Sequence, residues 1–210
     1  MLPDDTNVIC NGGSLALRFG STETIGSLSG AGLVQFRQGT GSHLIVGNNN
    51  SSTVFAGRIT TGGGDGQLTK IGSGTLMLTG DSTYTEGTTI SGGTLLAGNS
   101  SGSATGTGTV TVATGGTLGG TGSVAGLTIV NSGGDIAPGT SAGVLTVGAA
   151  LFEAGSTLDI QLGGTGAGEA DRLDVVGSAG LGGELAVSLI DSFVPEPFDE
   201  FTILTAGTLT

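Results

Sequence analysis

Short runs in which apolar and polar side chains alternate, each opened by a glycine, make up most of this chain. Leu76-Met77-Leu78, Thr109-Val110-Thr111-Val112 and Leu158-Asp159-Ile160-Gln161-Leu162 show the pattern. A period of two sends successive side chains to opposite faces of a strand, and threonine and the β-branched residues suit that pleated surface. Many runs begin with a glycine, one variable residue, then Leu or Val, as in Gly13-Ser14-Leu15, Gly74-Thr75-Leu76, Gly93-Thr94-Leu95, Gly116-Thr117-Leu118 and Gly183-Glu184-Leu185. The next glycine or Asn/Asp/Ser cluster bends the chain before a long hairpin can grow. A hairpin sandwich would show longer strands joined by regular type I′ turn pairs, and Asn11-Gly12 is the one clear pair of that kind.

Short strands, small-residue corners and recurrence at intervals of roughly 12 to 23 residues predict an all-β solenoid whose coils stack as parallel sheets. Coils of about 20 residues stacked about 4.8 Å apart would give about ten coils and a rod about 50 Å long. Its narrow core is expected to hold Phe19, Phe36, Phe55, Phe152, Phe193, Phe198 and Phe201 among Leu, Ile and Val. Residues 1–210 read as one continuous segment. The stretch from Asp191 to Glu200, with Pro195 and Pro197, breaks the alternation and reads as a loop between the last coils.

Composition sharpens this. Of 210 residues, 45 are Gly, 31 Thr and 20 Ser, which taken alone would suggest a flexible low-complexity polymer. A mean hydropathy of +0.31 with 10% charged residues is too apolar for a solvated disordered chain. Glycine at this density excludes a helical domain, and collagen fails because glycine does not fall at every third position. The glycines are therefore expected at the corners, where they let coils approach closely.

The net charge of −12 excludes nucleic acid as an expected partner, since no basic stripe offsets repulsion from the phosphate backbone. The imbalance is concentrated in residues 106–210, which hold eleven acidic side chains and one basic one. Cys10 is a single cysteine, so no internal disulfide is expected. The start Met1-Leu-Pro-Asp-Asp5 does not read as a signal peptide, and no run is long enough for a membrane-spanning helix, so no membrane insertion by this segment is expected.

The segment Gly66-Gln-Leu-Thr-Lys-Ile-Gly-Ser-Gly-Thr-Leu-Met-Leu-Thr-Gly80, with Asp81-Ser-Thr-Tyr-Thr-Glu-Gly-Thr-Thr-Ile-Ser-Gly-Gly-Thr-Leu95 after it, closely resembles the autotransporter-associated β-strand repeat, placed over residues 66–98. Ile25–Leu33, Gly134–Val147, Asp171–Gly177 and Phe201–Thr205 are similar to what surrounds such repeats in bacterial autotransporter passengers. The resemblance implies a right-handed parallel β-helix, a noncatalytic stalk or adhesive segment of a secreted or surface-attached protein, with the repeat assisting export and folding of the passenger. It implies an extracellular or cell-surface location, with a host-surface or matrix ligand as a further partner. The family's export signal and membrane β-barrel do not lie within these residues. The stop at Gly207-Thr-Leu-Thr210, in mid-pattern, is expected of a fragment or of a filament subunit whose solenoid continues into an adjacent segment or an identical copy end to end.

Candidate chemistry is sparse, and no catalytic, cofactor-binding or metal-binding residue is assigned. Gly139-Thr-Ser141-Ala-Gly143 matches a nucleophile elbow in form, but a strand rather than a helix is expected to follow, and the sole histidine, His43, lies upstream. Gly120-Thr-Gly-Ser-Val-Ala125 matches a loose dinucleotide fingerprint without its helix. His43 has no partner set for zinc and reads as an exposed strand residue. Glu169, Asp171 and Asp174 offer oxygen ligands suited to calcium or a solvated acidic face, and the absent calcium nonapeptide favours the latter. A polysaccharide-binding or polysaccharide-degrading site on a β-helix wants acids and bases facing one groove, whereas Arg172 is the one base in the acidic half and Lys70 lies in the acid-poor half. Asn48-Asn49-Asn50 reads as a polar turn, with an amide ladder as the alternative.

Overall fold

A computed structural model describes residues 1–18, 20–37 and 39–210. All the regular structure among them is strand, arranged as a parallel β-helix. One face of nine strands runs Asn7–Cys10, Ser27–Gly30, Thr53–Phe55, Thr75–Leu78, Gly93–Ala97, Gly116–Gly120, Asp135–Pro138, Thr157–Leu162 and Glu184–Leu189. A second face has only three strands, Ser14–Arg18, Leu33–Arg37 and Arg58–Thr61. The third again has nine: Thr22–Ile25, Gly39–Val46, Gly64–Lys70, Thr88–Ile90, Val110–Val112, Ser123–Val130, Val144–Phe152, Arg172–Leu181 and Leu204–Leu209.

The chain therefore makes nine rungs separated by eight steps, slightly fewer than the ten coils expected, and about 40 Å of rod at the interstrand spacing. The shortfall comes from unequal coils. Thr117 registers with Asp135, 18 residues on, whereas Leu173 registers with Leu204, 31 residues on, because loops such as 190–203 are spliced into the late rungs.

Alternation fixes which side chains face inward. On the first face Leu76, Leu95, Leu118, Ile136 and Leu158 stand in register as one buried column. On the third, Ile25, Val46, Lys70, Ile90, Val112, Val130 and Phe152 form another, with a lysine among aliphatic neighbours. The columns fade towards the end of the rod, where Leu181 on the eighth rung and Leu185 on the ninth are each 53% exposed.

From the fourth rung the second face has no strand of its own. The late third-face strands grow longer instead and break register at Val124/Leu127, Val147/Ala150 and Val175/Ser178, bulges that bend one strand round two sides. Gly126 and Gly148 sit at two of these bends, where an added Cβ would run into the carbonyls of Gly108 and Ala125 in the rung below. The corner between faces one and two works alike: a Cβ on Gly57 would strike the carbonyl of Gly32, and one on Gly80 that of Gly57. Glycine there answers to close rung stacking.

The phenylalanines divide. Phe36, Phe55 and Phe152 are buried and Phe193 packs edge-to-face on Phe201 at 5.9 Å, partly buried against the core. Phe198, expected inside, is 99% exposed on a loop residue with φ of 81°. Phe19 lies outside the described residues. His43 is half-buried rather than exposed, its Nε2 within 2.8 Å of Thr69 Oγ1 on the next rung.

Candidate functional site

The densest constellation of buried polar groups lies where the three-sided part of the solenoid gives way to the two-sided part. Lys70 ends the strand Gly64–Lys70 on the inward parity set by Leu68, so its side chain enters the core and is 1% exposed. Its Nζ donates to the carbonyls of Ile71 (2.7 Å), Gly72 (3.1 Å) and Gly92 (3.1 Å). An ammonium has three donors, and all three are used. Burial pulls its pKa below the usual lysine value. The carbonyls belong to the chain turning away from Lys70 and to the corresponding corner of the next rung, so one charge ties two rungs together.

From Asp81 to Tyr84 the chain crosses the side where the three-stranded face has just ended. Arg58–Thr61 is the open edge of that face, and the segment after Gly80 closes it. The Thr83 N–H donates to the Ile59 carbonyl (2.9 Å), while the Ile59 N–H donates to Ser82 Oγ (3.1 Å). A serine hydroxyl thus stands in for the carbonyl of a missing fourth strand. Tyr84, fully buried, packs edge-to-face on Phe36 of the second face at 6.0 Å, and its hydroxyl meets Thr88 Oγ1 at 2.5 Å. Burial raises its pKa well above the ordinary phenol value, the Thr88 contact opposing the shift. Asp81 Oδ1 accepts the Ser103 N–H (3.1 Å), and Ser103 Oγ accepts the Ala125 N–H (3.1 Å), carrying the clasp upward rung by rung.

The carboxylates Glu169, Asp171 and Asp174 do not converge, and the described residues contain no group of three or more His, Cys, Asp or Glu placed to hold a metal. Nor do they form one solvated face. Asp171 is 1% exposed, its Oδ1 accepting the Gly143 N–H and its Oδ2 the Gln161 N–H, both at 2.8 Å. Burial raises its pKa, the two amide donors oppose this, and the charge of Asp159 adds to the rise. Asp174 pairs bidentately with Arg172 (2.7 and 2.9 Å) and accepts from Thr205 Oγ1 (2.7 Å), which lowers its pKa. Glu169 accepts the Gly166 N–H at the loop tip. Each acid holds a different turn or strand.

Ser141 lies on an exposed bend followed by the strand Val144–Phe152, and Gly120–Ala125 runs from one strand through a bend into the next. Neither motif opens a helix. Asn48-Asn49-Asn50 is a turn whose amides reach both neighbouring rungs: Asn48 donates to Asp5 (2.8 Å), Asn49 to Asn7 (2.5 Å), and Asn50 Oδ1 accepts the Ser73 N–H (2.8 Å).

The comparisons with known proteins fall on the same residues. Residues 68–97 match the passenger-associated-transport-repeat family, which places Lys70, Asp81, Tyr84 and Thr88 inside the match. Over 121 residues, 58% of this chain, the sequence is 40% identical to a protein named adhesin BmaC autotransporter from Brucella suis biovar 1 (strain 1330). The chain spans 3% of that relative's length. Residues 68–97 match the passenger-associated transport repeat, and the solenoid around them is similar in sequence to part of an autotransporter adhesin.

Proposed function

We propose that this chain is a noncatalytic stalk or adhesive segment of a bacterial secreted or cell-surface passenger, and that its repeat assists folding of the passenger as it is exported. The observation that supports this is the employment of the repeat's polar residues. Lys70, Ser82 and Asp81 satisfy backbone groups of neighbouring rungs and Tyr84 and Thr88 satisfy each other within one, which leaves a sealed junction on which rungs can stack in either direction. A solenoid gains stability from each neighbour added, so a rung that closes an exposed sheet edge early is a template for the rest. In this reading the passenger crosses the membrane unfolded and the repeat nucleates stacking on the far side.

Joining the chain, with an export signal before it and a β-barrel translocator after it, and scoring protease-resistant chain on intact cells tests the reading. Lys70→Met and Tyr84→Phe are expected to lower the resistant surface fraction. Surface yield and resistance equal to the parent's, with both variants destabilised as purified proteins, would contradict it. A second reading, end-on stacking with another solenoid segment or an identical copy, draws on the half-exposed inward side chains Leu185, Val187 and Leu189, which a further rung would cover.

A further inference from the structure

The solenoid has five basic side chains, and their placement is uneven. Lys70 is spent on carbonyls inside the core and Arg172 on Asp174. The other three, Arg18, Arg37 and Arg58, stand exposed on the outside of the second face, one on each of the first three rungs. Arg18 is in direct register with Arg37, and Arg58 sits one rung further, beside Leu33. Like charges on adjacent strands repel. Among the described residues none of the three has a carboxylate partner, and Arg37 Nε meets only the neutral Gln35 Oε1 at 2.8 Å. Nothing within the fold rewards this arrangement.

An opposite array lies at the other end. Asp135, Asp159 and Glu184 are on the outside of the first face, one on each of rungs seven, eight and nine, while Ile136, Leu158 and Ile160 between them point inward. Asp135 registers with Thr157 and Thr157 with Glu184, so two acids share a column and Asp159 lies two residues along. Beside Asp159 the surface is hollowed into a groove of about 220 Å³ over Leu96, Gly119 and Ala137. Gly119 lets the rungs close up there, since an added Cβ would meet the Ala137 carbonyl and Leu96.

Each array places one charge per rung, so both repeat along the rod axis at the same spacing of about 4.8 Å. Along the strands the arrays are offset differently, Arg58 lying four residues from the Arg37 column and Asp159 two from the Asp135–Glu184 column, so what the two patches share is opposite charge spread over three rungs each. We propose that the Arg18–Arg37–Arg58 face of one copy docks side by side on the Asp135–Asp159–Glu184 face of a second copy of this chain. The contact joins two different patches, so it is heterologous and each copy keeps one patch of each sign free for the next. Exposed pairs of this kind are individually weak and screened by salt, and the overall negative charge opposes association. The assembly is therefore lateral, concentration-dependent and salt-sensitive.

Sedimentation velocity on the whole chain tests this, with one variant carrying Arg18→Glu, Arg37→Glu and Arg58→Glu and a second carrying Asp135→Lys, Asp159→Lys and Glu184→Lys. The parent is expected to associate at about 10 mM salt, where the Debye length is about 30 Å, and to dissociate at about 1 M, where it is about 3 Å. Each variant alone is expected to be monomeric, and an equimolar mixture to associate again through the exchanged charges. If a reversal variant loses the parent's strand signal in circular dichroism, the neutral Gln and Asn replacements take its place, with loss of association in a folded chain as the expected result. A parent that stays monomeric at low salt, a mixture that stays monomeric, or variants that associate as the parent does, as an end-on contact would allow, each overturns the proposal. A monomeric parent that instead binds heparin, with binding lost in the arginine variant, assigns the arginine face to an anionic partner and overturns it too.

Discussion

The rungs around Lys70 and those around Asp171 each bury one charged side chain to 1% exposure, and among the described residues neither charge has an ion-pair partner. The two solve the problem with opposite backbone groups. Lys70, set in an aliphatic column between Val46 and Ile90, gives its three protons to carbonyls where the strands end. Asp171, at the end of the 163–171 loop, takes two amide protons, from Gly143 and Gln161. A coil that turns every few residues leaves backbone groups unpaired at each corner, and a buried group left unpaired is costly. The sign of each buried charge follows from which backbone groups a corner leaves over. The surroundings differ as well. Lys70 has full rungs on both sides, whereas beyond Asp171 the core opens into a cavity of about 150 Å³ lined by Phe152, Leu158, Leu185, Ile203 and Leu204.

The largest expected effect strikes the packing on which the Lys70 region depends. Gly57→Ala drives a methyl into the Gly32 carbonyl and is expected to cost about 3 kcal/mol or more in urea unfolding. Gly13→Ala meets nothing within 4 Å and is expected to be neutral, so equal effects at the two sites would break the account of the glycine corners. Lys70→Met leaves three carbonyls without donors and is expected to cost about 3 kcal/mol. Asp171→Asn keeps one acceptor but turns an NH₂ toward the second amide, in a more open setting, and is expected to cost about 2 kcal/mol. A larger loss at Asp171 than at Lys70 would reverse the comparison.

The pH dependence separates Asp171 from its neighbour Asp174. Asp174 has a folded pKa below the ordinary 3.8, held down first by the Arg172 hydrogen bond. Its contribution is complete above that value and is lost as pH falls through the folded pKa. Asp171 is shifted upward by burial, so ionising it costs the folded state, and its contribution falls as pH rises from about 3.8 through the folded pKa. The stability lost in Asp174→Asn is thus expected to be larger at neutral than at acid pH, and that lost in Asp171→Asn smaller at neutral than at acid pH, in thermal unfolding across this range. The smallest effect is a gain. Thr128 sits inward between Val110 and Ala150, its buried hydroxyl unpartnered among the described residues, and Thr128→Val is expected to stabilise by about 1 kcal/mol.

Strand parity made much of this legible beforehand. Leu76, Leu78, Val110, Val112, Leu158 and Ile160 face inward as the alternation requires, and glycines such as Gly57 and Gly80 lie at corners, whereas Gly66 and Gly119 lie within strands. The same parity also points Lys70 inward, two residues after Leu68, but a lysine is by default a solvated residue. What reverses the default is the Gly92 carbonyl, 22 residues away and one rung up, a neighbour that only the stacking register supplies. Asp171 was obscured similarly, since its donors come from the strand residue Gln161, 10 residues back, and the turn residue Gly143, 28 back. Phe198 misled because apolar character predicts burial, whereas its left-handed backbone in the 191–200 loop turns it to solvent.

Native-state hydrogen exchange, resolved by residue, tests most directly whether the repeat is the sealed centre of the solenoid. The slowest exchange is expected in Thr75–Leu78, Thr88–Ile90 and Gly93–Ala97, near the limit set by global unfolding, and exchange faster by orders of magnitude in Glu184–Leu189 and Leu204–Leu209. Uniform protection along the rod, or a last rung as protected as the repeat, would contradict it.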